Sequence, residues 1–249
     1  MLNQIPFAEA PCWANENNVF ASNDDPTASI SSLVGGIVNP PLATLGALDG
    51  VKRWETRYHG EHSVDRHSIE SLIQQKFQSV HGAKIETCLP HLFSIRAAGE
   101  SASGAVGIRE METQGGLLER YLDKPVELIL SQITGIVVSR SCILEVGNLA
   151  AESIPVAVLL IAFLCDEAQR RCRSHAVFTG TQALRMALKR ARVPYFTIQA
   201  ADADRLGSER NQWGRYYNCD PQIMAVDVAA GLDTIRRRFW IERATPCSN

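Results

Sequence analysis

One carboxylate interrupts an otherwise apolar run, Leu144-Glu-Val-Gly-Asn-Leu149. A glutamate at such a place either points to water on the alternate face of a strand or sits desolvated in a cleft. Desolvation raises a carboxyl pKa and suits Glu145 to take a proton near neutral pH. Spacing alone leans to the wet face, because exposed glutamates are common on strands. Gly147 follows, and glycine inside a strand marks a bulge or a close approach of ligand to backbone. Asn148 can both donate to and accept from an amide or carbonyl group. A plain strand-ending turn explains this pair equally well. Arg109 closes the run Ala105-Val-Gly-Ile-Arg109 and could clamp an anionic group with two parallel hydrogen bonds, or form an ordinary surface ion pair. The stretch Trp213-Gly-Arg-Tyr-Tyr-Asn-Cys-Asp-Pro221 crowds an indole, the Arg215 guanidinium and the phenols of Tyr216 and Tyr217 into five positions. It could line an acyl or acceptor pocket and supply a phenolic proton. It could also be a loop anchored by its rings.

Other chemistries find less support. His59, His62 and His67 share one polar stretch, but none of their spacings is the i, i+4 of a helical metal pair, so no metal is expected. A G-x-S-x-G elbow and a Ser–His–Asp order are both absent. There is no G-x-x-x-x-G-K-[ST], and Ser103–Gly107 and Thr179–Thr181 make poor phosphate loops.

The elements that would position these groups alternate in type. Ile69, Ile73 and Phe77 recur at helical spacing between Asp65 and a C-terminal stop at Gly82. Leu92–Gly99 alternates like a strand, and Glu100–Met111 reads as its hairpin partner, with the turn near Gly99–Ser103. Helical spacing then breaks at Pro125. A strand core at Cys142–Val146 precedes a helix from Ile154, apolar early and charged late. His175–Thr181 is a short buried-type strand, Thr181 is a candidate N-cap for an amphipathic helix, and Pro194–Ala201 is a further strand. A last helix spans Ala229–Trp240. Antiparallel strands followed by strand–helix–strand crossovers predict an α/β fold with a mixed central sheet and helices on both faces. A ligand is expected where neighbouring strands diverge near their carboxyl ends, which points to the strand running into Asn148.

Length and composition fit one large domain over residues 51–249. Residues 1–50, rich in Asn, Ser, Ala, Pro and Gly, are expected to be an arm-like or loosely structured extension. The formal net charge of −2 offers no field for nucleic acid or an anionic membrane. The longest apolar run, Ile154–Cys165, is shorter than the roughly 20 residues that cross a bilayer. No secretory signal is visible. Seven irregularly spaced cysteines fit reduced thiols, so a cytoplasmic protein is expected.

Five ordered blocks carry a resemblance: HGAKI…LP at His81–Pro90, AVGIRE at Ala105–Glu110, LERYLDKPVE at Leu118–Glu127, ILEVGNLA at Ile143–Ala150 and WGRYYNCDPQIMAVD at Trp213–Asp227. Together they resemble the thermostable hemolysin family over about residues 64–227. That family is similar to the GNAT-type acyltransferase fold, nearest the acyl-homoserine-lactone synthases. The resemblance implies that the EVGNLA strand is the splayed central strand that grips an acyl thioester, and that Glu145 occupies a base position. It implies acyl transfer to an amine, in specialised metabolism, from coenzyme A, an acyl carrier protein or an acyl adenylate, with no resident cofactor. Gly147 and Asn148 would hold the donor, Arg109 a carboxylate on the acceptor, and Trp213 and Arg215 the pocket. The usual tyrosine on the later helix is replaced by Arg185 and Met186, so Tyr216 or Tyr217 would be the acid. The family's glycine-rich phosphate loop has NLAAESIPVAVL in its place. A non-catalytic module that binds an amphiphile or a partner, and a membrane-active hemolysin, remain open readings, as does a homodimer.

Overall fold

The computed structural model describes residues 54–112 and 115–239; the expected extension over residues 1–50 lies outside them. Strand β1 (Trp54–His59) leads to helix α1 (Arg66–His81), then to the hairpin β2 (His91–Ala97) and β3 (Gly104–Glu110). A 3-10 turn at Leu117–Tyr121 and helix α2 (Val126–Thr134) come before β4 (Ile143–Ala151). The crossover α3 (Ile154–Arg170) returns the chain to β5 (His175–Gly180). Helix α4 (Gln182–Ala191), β6 (Phe196–Ala200), a kinked 3-10 segment (Ala203–Trp213), a second 3-10 turn (Tyr216–Cys219), β7 (Gln222–Asp227) and α5 (Val228–Phe239) complete the described chain.

The seven strands form one sheet in the order β1-β2-β3-β4-β5-β7-β6. Only β4 and β5 run parallel; every other neighbouring pair is antiparallel. Side-chain alternation divides the core in two. Phe93, Ile95, Val106, Leu144 and Val146 meet α3, α4 and α5 on one face. Ile143, Val177, Ile223 and Ala225 meet α2 and the 117–121 turn on the other, where Ile69 and Ile73 of α1 also pack on Leu92, Ala105 and Ala150. The expected mixed sheet with helices on both faces is therefore what the chain forms. Helix α3 is buried almost all round because α4 and α5 flank it, the pattern of an interior helix. Among the described residues no helix is long and apolar enough to cross a membrane.

Two strands escape the sequence reading. WETRYH has no alternation of apolar residues, yet it forms the edge strand β1. Polar bonds hold it there: buried His59 meets Asp65 Oδ1 through Nδ1 at 3.0 Å and Ser94 Oγ through Nε2 at 2.8 Å. This Ser94–His59–Asp65 chain lies closed beneath α1, with Ser94 only 4% exposed, and it anchors the edge. Arg66 continues the tie, donating to the carbonyls of His59, Leu89 and Pro90. In QIMAVD the continuous run Ile223–Val226 is buried between two strands, the pattern of a central strand covered on both faces. Cys88, Cys165, Cys172 and Cys219 are free thiols.

Candidate functional site

β4 and β5 are paired only from Ile143↔His175 to Val146↔Phe178. Beyond that point β4 continues along β3 to Ala151 and β5 continues along β7 to Gly180, so the backbone from Gly147 to Ala151 has no strand partner on its β5 side. A bulge opens this wedge. Between Gly107↔Gly147 and Ala105↔Ala150, Val106 alone stands against Asn148 and Leu149. The extra residue kinks β4 away from β5.

The Gly-Asn pair that invited a ligand reading seats the loop before β2. Asn148 has φ +53°, a left-handed conformation that asparagine tolerates better than most residues. Its Oδ1 accepts from the Leu89 backbone N–H at 2.8 Å. A Cβ on Gly107 would lie 2.9 Å from Leu89 Cβ, and one on Gly147 would lie 3.0 Å from Leu89 Cδ1. Both glycines make room for Leu89, and Asn148 ties it down.

The wedge opens into a cleft of about 580 Å³ whose walls come from both faces of the sheet. Glu145 lies at its floor and is 3% exposed. Its Oε1 accepts from the Leu118 N–H at 2.9 Å, while Oε2 has no hydrogen-bond partner among the described residues. Arg109, opposite Glu145 in the β3–β4 ladder, brings Nη1 to 3.7 Å from Oε2. Burial pushes the Glu145 carboxyl above its ordinary range, and the Leu118 N–H and Arg109 pull partly against it.

The Leu118 amide is delivered by a clamp absent from the sequence reading. Glu119 accepts from the Gly116 N–H at 3.0 Å and the Val126 N–H at 3.1 Å. Arg140 grips both its oxygens, at 2.8 and 2.7 Å, and reaches Glu127 at 2.7 Å. Bidentate, charge-assisted geometry of this kind fixes orientation. It also holds the Glu119 carboxyl below its ordinary range. Glu119→Gln breaks the fork and frees the 117–121 turn. The expected cost is about 2 kcal/mol, read by chemical denaturation. Weakening the Leu118 N–H bond, which favours ionised Glu145, raises the acid limb of any Glu145-dependent pH profile, while removing the Glu119 charge lowers it; the hydrogen bond is the larger influence, so a net rise is expected. An unmoved limb would separate the clamp from the carboxylate.

Of the aromatic residues in the Trp213–Tyr217 run, Trp213 and Tyr216 line the cleft. The Tyr216 ring stacks on Phe77 and meets His81 edge-on, and its hydroxyl donates to the Thr179 carbonyl at 3.4 Å, on the β5 side of the wedge. Burial pushes its phenol well up, so it stays protonated. Tyr217 does not line the cleft; its hydroxyl is 2.6 Å from that of Tyr121, which does. The Arg215 side chain is exposed outside the cleft, and its backbone N–H donates to the His81 carbonyl at 2.7 Å. The site thus gathers Glu145, Gly147, Asn148, Trp213 and Tyr216, with Arg109 beside Glu145, and leaves Tyr217 and Arg215 outside. Leu118, Tyr121 and Thr179 were missed. The LERYLDKPVE block carried the first two, but nothing in its residue types shows that it folds over β4.

No curated protein matches the chain. Solved structures do, at low identity. The acyl-homoserine-lactone synthase LasI superposes with a TM-score of 0.52 at 13% identity, covering 77% of this chain and 99% of its own. FeeM, an N-acyl amino acid synthase from uncultured soil microbes, gives 0.52 at 15% identity, covering 76% and 98%. TofI in its apo form gives 0.50 at 14%, covering 73% and 95%. The splayed mixed sheet described above is thus a GNAT-type fold. The thermostable hemolysin profile matches residues 59–232, which span strands β2 to β7 and the whole cleft, so the chain belongs to the thermostable hemolysin family.

Proposed function

We propose that the protein is an N-acyltransferase that moves an acyl group from a thioester to an amine. The observation that carries this reading is the Glu145 carboxylate, buried at the floor of an open wedge beneath a cleft of about 580 Å³, with Oε2 free of hydrogen bonds and 3.7 Å from the Arg109 guanidinium. A carboxylate held so, with its pKa raised, is suited to act as a general base.

The amine nitrogen attacks the thioester carbonyl carbon. A C–N bond forms, the C–S bond breaks and the carrier leaves as a thiol. Glu145 takes the amine proton, and that proton ends on sulfur. The unpaired β4 backbone beyond Val146 receives the donor's amides as an added strand. Tyr216, the phenol inside the cleft, donates a hydrogen bond to the leaving sulfur. Arg109, engaged with Glu145 and with the Gly115 carbonyl at 3.1 Å, sets the charge state of the base. The similarity of the fold to acyl-homoserine-lactone and N-acyl amino acid synthases supports acyl transfer, with coenzyme A or a carrier protein bearing the donor.

Mass spectrometry tests this. Purified protein is incubated with octanoyl and palmitoyl thioesters of coenzyme A and of an acyl carrier protein, together with pooled amines and amino acids. A protein-dependent N-acyl amide is expected. Absence of product from every donor sinks the reading and leaves a binding module ahead, with dye release from liposomes testing a lytic one.

A further inference from the structure

The Leu117–Tyr121 turn brings a second group to the cleft besides the amide that holds Glu145. In a 3-10 turn residues i and i+3 eclipse, so Leu118 and Tyr121 share one face, and both line the cleft. The Tyr121 hydroxyl is 2.6 Å from that of Tyr217, a short O–H···O bond. Two phenols carry two hydrogens, and one contact between them uses only one. Among the described residues neither oxygen has another polar partner. Tyr217 does not line the cleft, and its ring is wedged edge-on against Trp213 and Tyr216, with centroids 6.3 and 5.5 Å away. The second hydrogen therefore belongs to the phenol that can meet a ligand: Tyr217 donates, Tyr121 accepts and turns its own O–H to the cleft. Accepting that bond polarises Tyr121 and makes it a stronger donor. The neighbouring Arg120 does not compete for the Tyr121 oxygen, because both Glu209 oxygens engage its guanidinium at 2.7 and 2.9 Å. Burial pushes the Tyr121 phenol above its ordinary value, so it keeps its hydrogen at neutral pH. A donor shielded from water in this way counts for more than one in solvent.

We propose that Tyr121, primed by Tyr217, is a catalytic hydrogen-bond donor to the thioester carbonyl oxygen as attack by the amine turns that oxygen into an oxyanion. The placement follows from the turn. The attacking nitrogen must stand against Glu145, which the Leu118 amide holds, so the carbon it attacks lies over the face that Leu118 and Tyr121 share. The phenol keeps its proton throughout. It holds the oxygen while the C–N bond forms and releases it as the C–S bond breaks and the carbonyl returns. This rests on the acyl-transfer reading and adds a catalytic group to it.

The test measures kcat and KM for amide formation in the wild-type protein, Tyr121→Phe, Tyr217→Phe and the double variant, with the thioester and amine that give product in the mass-spectrometric screen. Phenylalanine keeps each ring and removes only the hydroxyl. Tyr121→Phe should lower kcat by about 10²-fold and move KM for the thioester by less than about threefold, because the bond is made to the transition state. Tyr217→Phe removes the priming bond and leaves the donor in place, so kcat should fall by only about threefold to tenfold. In the Tyr121→Phe background the Tyr217 change should do nothing further, since its effect passes through Tyr121. Unchanged kcat in Tyr121→Phe, a loss expressed in KM alone, or additive losses in the double variant would overturn the proposal while leaving acyl transfer standing. Should Tyr121→Phe fail to fold, Tyr217→Phe decides alone, and an unchanged kcat there overturns the proposal. A wild-type protein that makes no product with any donor would remove acyl transfer and this inference with it.

Discussion

Glu145→Gln should lower amide formation by about 10²–10⁴-fold, the usual contribution of a positioned general base, without unfolding the protein. Glutamine keeps the shape and still accepts from the Leu118 N–H, the one hydrogen bond given to Oε1. It loses the ability to take a proton and the negative charge facing Arg109 at 3.7 Å. The pH dependence has a definite sign. Burial raises the folded-state pKa of Glu145, so the acid limb of the wild-type rate should lie above the ordinary glutamate value and be absent from the residual activity of the variant. For stability, a group whose pKa is raised by folding contributes fully below its unfolded value, and that contribution is lost as pH rises through the folded value. The melting temperature of the glutamine variant should therefore equal or exceed that of wild type at about pH 8, with the difference shrinking toward about pH 4. Turnover unchanged by the substitution would end the base assignment. A collapse of the melting temperature would show that the carboxylate is structural.

Gly214→Ala should be the most damaging single-methyl change near the site. Gly214 has φ +51° and ψ −120°, a conformation open essentially to glycine alone. A Cβ there would stand 2.3 Å from the His81 carbonyl oxygen and 2.8 Å from the Gly82 backbone. Backbone on the far side cannot swing away as a side chain would. The Arg215 N–H bond to His81 would go with the shift, and so would the Phe77–His81–Tyr216 ring contacts. Strain and overpacking together amount to about 3–5 kcal/mol, or roughly 6–20 °C in melting temperature for a domain of this size. Calorimetry reads this directly. A variant melting within about 2 °C of wild type would show that the Gly214 turn relaxes freely.

The sequence makes the fold far more legible than the site. Helix α1 could be read because Ile69, Ile73 and Phe77 repeat at its period, and α3 because a long apolar run follows Ser153. The β2–β3 hairpin could be read because its alternation brackets a turn. β1 could not, since its hold on the sheet depends on His59, Asp65 and Arg66 bonding to partners up to 35 residues away. β7 was hidden by the aromatic run before it. At the site, alternation along β4 identifies Glu145 as exceptional but not which way it matters. Its burial is imposed by the Leu117–Tyr121 turn, 27 residues upstream at the Leu118 contact, and no local pattern encodes that. The same limit blurred Tyr216 and Tyr217: adjacent phenols look alike in sequence, yet one lines the cleft and the other is spent on Tyr121.

The seat made for Leu89 changes what the EVGNL signature means when it is met in other chains. Its glycine and asparagine are consumed in holding one loop against a kinked strand, so a protein that keeps them has kept a shape. Under the proposed function the glutamate alone speaks to reactivity. A chain with glutamine or alanine at that one position and the rest of the signature intact should fold, form the wedge and bind an acyl arm, yet transfer it about 10²–10⁴-fold more slowly. The signature thus separates into an architectural half and a chemical half. Sorting sequences by the second would distinguish enzymes from sequestering relatives before any of them is purified.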